Sequence, residues 1–235
     1  LSVISKFGMS MENLSSHLAD LHANYRKIFL EYSNSLLTQI VEIRPKSLEG
    51  GIFYKYPKNS DGNLWQLSVL KLIDSELSKI PNELQAVKNL RKIFHCACCG
   101  VCCKFAVSEF SPVELKQKAN QGDNFAIQFI KTFVPYENLD EVKKVFPQYV
   151  EFLQNSETDG KYYFYHCLKV TRENKCPDYE KRPQICRDFP DNPIAFLPLL
   201  CGYMGWKQKS EIKMLELNAK SEILHFYKTK LLEIV

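Results

Sequence analysis

The amino-acid sequence predicts a mainly α-helical protein, in which a helical bundle surrounds an irregular, cysteine-rich centre with little β structure. Three observations lead to this fold class. Apolar residues recur every three or four positions over most of the first 95 residues, which is the period of an amphipathic helix. All nine cysteines lie between Cys96 and Cys201. The segment 167–206, which holds four of them, is rich in proline and aromatic residues and has little periodicity.

Three helices are predicted before the cysteines. Residues 11–43 carry apolar side chains at steps of three and four, and this helix ends before Pro45, because proline disfavours helical geometry in the residue that precedes it. A second helix is predicted over residues 64–80. Pro81 is expected to open a third helix, since proline fits the first turn, where its missing N–H has no partner to lose.

Shorter elements are predicted after the cysteine cluster. Ser111 can accept a hydrogen bond from a free helix amide, and Glu114 can reach back to the backbone of Ser111, which is the pattern of a capping box. The other predicted elements are a strand over residues 104–110, helices over 123–133 and 140–153, a buried strand over 162–166, and a helix from residue 207 to the end.

The composition indicates an ordinary globular protein and argues against several functions. Charged residues make up 25% of the chain, and the formal net charge is +4, which is too small to indicate a nucleic-acid-binding surface. The uncharged stretch 193–206 is too short to cross a bilayer. The first ten residues lack the apolar run of a secretory signal. We therefore expect a cytoplasmic protein that binds neither nucleic acid nor a membrane.

The cysteines are the most informative feature of the sequence. Five of the nine fall within the eight residues from Cys96 to Cys103, and none lies in the first 95 or the last 34 residues. A secreted disulfide scaffold is shorter and spreads its cysteines, and an odd number cannot all pair within one chain. The placement instead predicts a reducing compartment, in which thiolates are gathered to bind a metal.

Four of the five clustered cysteines follow a Cys-x2-Cys-x2-Cys-Cys pattern: Cys96, Cys99, Cys102 and Cys103. A spacing of two residues lets a tight loop turn two thiolates toward one ion, while amides of the loop donate to the sulfurs. Gly100 permits the backbone angles that such a loop needs. The pattern is typical of zinc sites and of the loops that hold a 4Fe–4S cluster.

Four remote cysteines complete a set of eight candidate metal ligands. The eight are Cys96, Cys99, Cys102, Cys103, Cys167, Cys176, Cys186 and Cys201. We expect the first three to share one centre with Cys176 or Cys186, because a Cys-Pro pair such as 176–177 completes ferredoxin-like cluster sites. Cys103 and the others then form a second site or a reserve. Cys98 lies outside the pattern and is expected to be structural. A disulfide between the adjacent Cys102 and Cys103 is a strained alternative.

A second motif follows at residues 176–190, with the sequence Cys-Pro-Asp-Tyr-Glu-Lys-Arg-Pro-Gln-Ile-Cys-Arg-Asp-Phe-Pro. Together with the run at residues 96–103, this motif resembles the CxxCxxCC cysteine-cluster family, the YkgJ-type zinc- or iron-chelating domains. The resemblance covers residues 93–206 and implies zinc or an iron–sulfur cluster as cofactor. Flagellin lysine-N-methylase is a related protein, which implies a role in protein modification and a protein substrate.

These features predict three regions and leave two functions open. The regions are a helical N-terminal part over residues 1–92, a cysteine-cluster metal-binding domain over 93–206, and a C-terminal helix over 207–235 that packs on the same core. The protein either serves a modification such as lysine N-methylation or is a non-enzymatic structural or partner-binding module. A closed, all-thiolate site favours the module, because a catalytic zinc keeps an open position.

Charged and imidazole side chains adjoin the cysteines of both motifs. Arg182 and Arg187 either neutralise the thiolates or pair with neighbouring carboxylates at the surface, where ion pairs contribute little. His95 and His166 each adjoin a motif cysteine. Because the thiolates suffice as ligands, we expect both imidazoles to pack or to support ligands rather than to bind the metal.

Overall fold

The structure, a computed structural model, describes residues 11–155, 162–198 and 200–235. The first ten residues, which bear on the expected absence of a secretory signal, lie outside this range. Two compact units are present. Unit 1 contains Phe94–Gly205 and the start of the first helix up to Leu18, and unit 2 contains Ala19–Ile93 and Trp206–Val235. Unit 1 holds every cysteine, and unit 2 holds none.

The described residues are mainly helical, with one small sheet, which confirms the predicted fold class. The helices are α1 (Met11–Glu42), α2 (Asp61–Arg91), α3 (Val101–Lys104), α4 (Pro112–Asn120), α5 (Asn124–Thr132), α6 (Leu139–Val145), α7 (Pro147–Asn155), α8 (Gln184–Asp188) and α9 (Met204–Leu232). The strands are β1 (Ala106–Ser108), β2 (Phe133–Pro135) and β3 (Tyr163–Cys167). None of these helices combines the length and the apolarity that crossing a membrane requires.

The core of unit 2 joins the three long helices. Leu36 of α1, Ile73 of α2 and Leu224 of α9 are almost completely buried in one cluster. Two indoles add directional bonds to this packing: Trp65 Nε1 donates to the carbonyl of Ile40 at 3.1 Å, and Trp206 Nε1 donates to the carbonyl of Val87 at 2.9 Å. Burial of apolar side chains at helical spacing therefore holds unit 2 together without any cysteine.

The predicted break at Pro81 is wrong, because α2 runs through it from Asp61 to Arg91. Ile73, Ile80 and Val87 are all buried and lie seven residues apart on both sides of the proline. Proline removes one hydrogen bond and crowds the preceding turn, at a cost of about 3 kcal/mol in a free helix. Continuous burial of this stripe offsets that cost.

Unit 1 is built on a three-stranded antiparallel sheet of order β1-β3-β2. Tyr165 of β3 faces Ala106 of β1, and Cys167 of β3 faces Phe133 of β2. The expected strands over 104–110 and 162–166 are present in shorter or shifted form as β1 and β3. The sequence did not predict β2, because its residues extend the apolar pattern of α5.

Apolar clusters cover the two faces of the central strand. Adjacent side chains of a strand point to opposite faces, and accordingly Phe164 packs in one cluster while Tyr165 packs in another. The Phe164 cluster is completed by aromatic residues such as Phe105 and Phe146, and the Tyr165 cluster by Leu115 of α4 and neighbours. The sheet is therefore packed on both faces, and the segments that carry the cysteines are attached to it.

Two local predictions in unit 1 have different outcomes. The capping box before α4 is confirmed: Glu114 N–H donates to Ser111 Oγ at 3.2 Å, and Ser111 N–H donates to the Glu114 carboxylate at 2.8 Å. The helix expected over 140–153 is divided into α6 and α7, because Pro147 begins a new helix after Phe146.

Candidate metal centre

The cysteine run forms a tight loop that ends in the single-turn helix α3. Gly100 begins that turn with φ = +76°, in the left-handed region that favours glycine. A Cβ atom on Gly100 would lie only 2.6 Å from Cβ of Asn174, two residues before Cys176. Gly100 is thus required for two reasons: its backbone angles form the turn, and its lack of a side chain leaves room for Asn174, which precedes the second motif. The sequence analysis anticipated the turn but did not identify Asn174.

Backbone amides donate to three of the thiols, each from the residue two positions ahead. Cys98 N–H donates to Cys96 Sγ at 3.4 Å. Burial raises the pKa of the Cys99 thiol, and a hydrogen bond from the Val101 amide opposes that rise. The same balance holds at Cys201, whose burial raises its pKa while the Tyr203 amide opposes the rise. Amides in these positions stabilise thiolates, which are the form that binds a metal.

Cys201 lies on a segment that packs directly against the start of the cysteine run. A Cβ atom on Gly202 would stand 1.8 Å from the carbonyl oxygen of His95 and 2.9 Å from the amide nitrogen of Ala97. The segments that carry Cys96 and Cys201 are therefore in backbone contact. The sequence analysis expected Cys176 or Cys186 beside this part of the run and gave Gly202 no role; the Cys-Gly pair was the available signal.

The segment after β3 folds back on itself and carries Cys176 toward Cys167. Thr171 N–H donates to the Lys175 carbonyl at 2.9 Å, which closes a short turn between the two cysteines. Beyond that turn, Lys169 Nζ lies 2.6 Å from the Asp178 carboxylate and joins the two arms. Cys167, at the end of β3, and Cys176 are thus held on neighbouring strands of chain.

Cys186 lies on α8, which is attached to the same side of the fold. Ile185 N–H donates to Gln128 Oε1 of α5 at 3.1 Å, and Ile185 packs against the Tyr165 cluster. Helix α5 continues directly into β2, whose Phe133 is the register partner of Cys167. One α5–β2 segment therefore positions both Cys186 and Cys167.

Cys103 lies near the C-terminal end of α3, which rests on β3. Tyr136 makes two bonds that join these elements: its hydroxyl donates to the Lys104 carbonyl at 2.5 Å, and its amide donates to the Phe164 carbonyl at 3.0 Å. The thiols of Cys102 and Cys103 hydrogen-bond to each other, which lowers the pKa of Cys103 and raises that of Cys102. Of this pair, Cys103 is therefore the thiol that ionises first.

Arg182 supplies positive charge to the thiols. Its guanidinium lies 3.6 Å from the centre of the Tyr179 ring, and its Nε donates to the Tyr179 carbonyl at 2.9 Å, so its position is fixed on both sides. The hydrogen bond to Cys102 is the main cause of the lowered pKa of Cys103, and Arg182 lowers it further. Burial raises the pKa of Cys186, and Arg182 opposes that rise.

The second arginine and one histidine of the motifs support the backbone and the packing. Arg187 Nε donates to the Arg182 carbonyl at 2.7 Å, and Arg187 Nη2 donates to the Glu180 carbonyl at 3.4 Å, so this side chain braces the loop that presents Arg182. The His166 ring packs against Tyr136, with 4.6 Å between ring centres. Of the two roles considered for the arginines, Arg182 lies where it can neutralise thiolates.

The donor set fits a thiophilic metal. All nine cysteines are free thiols; the eight candidate ligands are half-buried, and Cys98 is exposed with φ = +51°. Thiolates suit zinc and iron–sulfur clusters and not magnesium or calcium. Within the described ranges, no three Cys, His, Asp or Glu side chains already stand close enough to hold an ion.

Comparison with known proteins agrees with this chemistry. The family model CxxCxxCC, described as "Putative zinc- or iron-chelating domain", matches residues 95–217, more than half of the chain. The matched segment begins one residue before the first cysteine and includes all nine. Searches of curated proteins and of solved structures found no match.

Proposed function

The chain belongs to the CxxCxxCC family of metal-chelating domains, and from that premise we propose that unit 1 binds zinc or an iron–sulfur cluster through cysteine thiolates and that the metal is structural. One observation carries this proposal: half-buried thiols from segments far apart in sequence lie on neighbouring backbone, with amides donating to three of them. The family model supports the chemistry without choosing between zinc and iron.

A structural role is supported by the shortness of the helices that carry the cysteines. Helices α3 and α8 have four and five residues, which is too short for either to be stable alone. A shared metal closes the long loops between the cysteines, and the free energy of metal binding then appears as free energy of folding. An all-thiolate set leaves no open position of the kind that a catalytic zinc uses. On this proposal, unit 1 is a module that presents a fixed surface to a partner. Its free thiols require a reducing compartment such as the cytoplasm.

The test is metal analysis of the full chain purified without oxygen. A colourless protein with zinc, or a brown protein with iron and sulfide in equal amounts, supports the proposal, and a folded protein without metal overturns it. Cys99→Ser is expected to lose metal. The matched control is Cys98→Ser, because Cys98 is exposed and outside the spacing pattern. This variant is expected to keep the metal content of the unaltered chain.

Support of a protein modification, such as lysine N-methylation, is the alternative function. Only the resemblance to a family that includes flagellin lysine-N-methylase supports it. An enzyme of this kind must bind a methyl donor and transfer methyl groups to a lysine-containing protein. Calorimetric titration of the metal-loaded chain with S-adenosylmethionine distinguishes the two functions: binding favours the enzyme, and its absence favours the structural module.

A further inference from the structure

The geometry points to two separate four-thiolate sites in unit 1. Site A consists of Cys96, Cys99, Cys102 and Cys201. Site B consists of Cys103, Cys167, Cys176 and Cys186. This division rests on the proposed metal binding and specifies which thiols share a metal; it uses all eight half-buried cysteines and excludes the exposed Cys98.

Site A follows from backbone contact and from its amide donors. The loop places Cys96, Cys99 and Cys102 at intervals of three residues, and the contact of Gly202 with His95 brings the Cys201 segment to the same loop. The three thiols that accept an amide from two positions ahead, those of Cys96, Cys99 and Cys201, all belong to this site. The same local arrangement thus occurs on both segments, as in sites where two short loops face one ion from opposite sides.

Site B follows from the attachments to the sheet. The turn closed by Thr171 and the ion pair between Lys169 and Asp178 hold the arms that carry Cys167 and Cys176 together. The α5–β2 segment positions both Cys167 and Cys186. The two bonds of Tyr136 tie the end of α3, where Cys103 lies, to the same strand. The antiparallel pairing of Ala106 with Tyr165 runs the residues before β1, Cys103 among them, toward the Cys167 end of β3, where the other segments are attached.

The adjacent Cys102 and Cys103 are divided between the sites because they lie on one helical turn. The two thiols touch through one hydrogen bond, and because successive side chains of a helix diverge by about 100° around its axis, each is left to reach a different neighbouring segment. Cys102, on the side of the loop, completes the spacing of three residues with Cys96 and Cys99. The division assigns its neighbour, Cys103, to the side of the sheet, where the Tyr136 hydroxyl holds the end of α3. An adjacent pair of cysteines is thus the connection between two sites.

The mutual influence of the thiols agrees with this division. Burial raises the pKa of Cys186 to about 11, and the thiols that add to the rise are those of Cys103, Cys167 and Cys176. At Cys201, beyond the effect of burial, the thiols that raise the pKa are those of Cys99 and Cys96. Cys103 also acts on Cys99, which is expected of a residue four positions away in the same run.

The experiment counts metal centres on the full chain, purified without oxygen and then loaded with excess zinc, or with iron and sulfide, before desalting. Two zinc ions or two 4Fe–4S clusters per chain are expected. One centre per chain overturns the division into two sites while leaving the proposed metal binding intact. A chain without metal overturns both. This count needs no substitution, so it decides the question even where a cysteine variant does not fold.

Pairs of substitutions then test the membership of each site. Cys96→Ser, Cys201→Ser and their combination are each expected to lose one of the two centres, because all disable site A. Cys201→Ser combined with Cys186→Ser is expected to lose both centres. Loss of both centres from the first combination, in a chain that circular dichroism shows to be folded, overturns the assignment. Loss of only one centre from the second combination also overturns it. Cys98→Ser is the matched control and is expected to retain two.

Discussion

Gly202 lies directly against the carbonyl oxygen of His95, so closely that a Cβ atom on Gly202 would stand 1.8 Å from it. This contact joins two segments that are separated by most of unit 1. It places Cys201 beside Cys96, and no pattern of spacing along the chain indicates that pairing. The residue that brings these two cysteines together is a glycine, because only a backbone without a side chain can approach so closely.

Gly202→Ala should therefore separate the two segments. Relief of the clash requires the backbone at Cys201 to move away, and overpacking of this kind typically costs about 1–3 kcal/mol. We expect the variant to lose one of two metal centres and to unfold at lower denaturant concentration. Metal analysis and chemical denaturation measure both effects.

The matched control for this glycine is Gly51→Ala, since a Cβ atom on Gly51 would meet nothing within 4 Å. Its metal content and its unfolding midpoint should stay close to those of the unaltered chain. If Gly202→Ala retains both centres, the contact with His95 does not position a ligand.

Arg182→Leu should weaken metal retention in acid. The arginine lowers the pKa of Cys103 and opposes the raised pKa of Cys186, so its loss makes both thiolates more easily protonated. Protons then displace the metal at a higher pH than in the unaltered chain, with a shift of the release midpoint on the order of half a unit. Zinc release followed with a chromophoric chelator during a pH titration measures the shift.

Arg172→Leu removes the same charge from an exposed position in the turn between Cys167 and Cys176. The pH midpoint of zinc release should shift much less in this variant, because solvent screens an exposed charge. Equal shifts for the two variants would mean that net charge, and not the position of Arg182 on Tyr179, determines retention.

Metal removal should loosen unit 1 before unit 2. Structural zinc contributes folding free energy on the order of 10 kcal/mol in small domains, whereas the core of unit 2 contains no cysteine. Hydrogen exchange after chelation should show faster exchange over residues 96–201, with α1 and α2 still protected. If the cysteine-rich segment stays as protected as before, the metal does not hold the fold, and an exchangeable, functional metal becomes the better explanation.

Leu224→Ala provides the converse comparison. Leu224 is fully buried in the core of unit 2, so the cavity should cost about 2–5 kcal/mol. We expect faster exchange in α9 and α2 and an unchanged metal content. Loss of metal from this variant would show that the two units are not independent in stability.

The ion pair between Lys213 and Glu83 in unit 2 gives a pH-dependent prediction. Lys213 Nζ lies 2.5 Å from the Glu83 carboxylate, and this hydrogen bond lowers the pKa of Glu83. A carboxyl whose pKa is lower in the folded state than in the unfolded state stabilises the fold at every pH above its unfolded pKa. That stabilisation is lost as the pH falls through the pKa that the carboxyl has in the folded state. Because the side chains of Lys213 and Glu83 are 40% and 33% exposed, Lys213→Met should cost only about 0.2–1 kcal/mol at pH 7.

The same substitution should cost almost nothing below the folded pKa of Glu83, where the carboxyl is neutral in both states. Denaturant unfolding followed over a series of pH values from 7 downward tests this difference, because the cost should shrink as the Glu83 carboxyl becomes protonated. Lys71→Met on α2 is the control, since Lys71 is exposed and forms no ion pair with any described residue. A cost for Lys213→Met that stays the same over the whole pH series would assign its effect to packing of the lysine stem.

Patterns along the chain were enough to predict most of the helices and a thiolate site for a metal. Steps of three and four predicted α1 and α9 closely, and the Ser111–Glu114 pattern predicted a capping box, because these signals act over a single turn. Pro81 was misleading, since its local preference is outweighed by a buried stripe that continues on both sides. The spacing of the cysteines likewise indicated thiolate chelation, because neighbours three residues apart must share a loop.

Which remote segment contacts which part of the cysteine run follows from tertiary contacts and could not be predicted from spacing. Spacings of nine residues or more leave a flexible chain free to bring its ends together in many ways, so linear distance carries little information about proximity. The pairing of β3 with β2, the turn at Thr171 and the contact of Gly202 with His95 remove that freedom. The segment of Cys201 therefore contacts the start of the run, whereas the segments of Cys176 and Cys186 are attached beside Cys167, because backbone contacts and not sequence intervals fix the position of a segment.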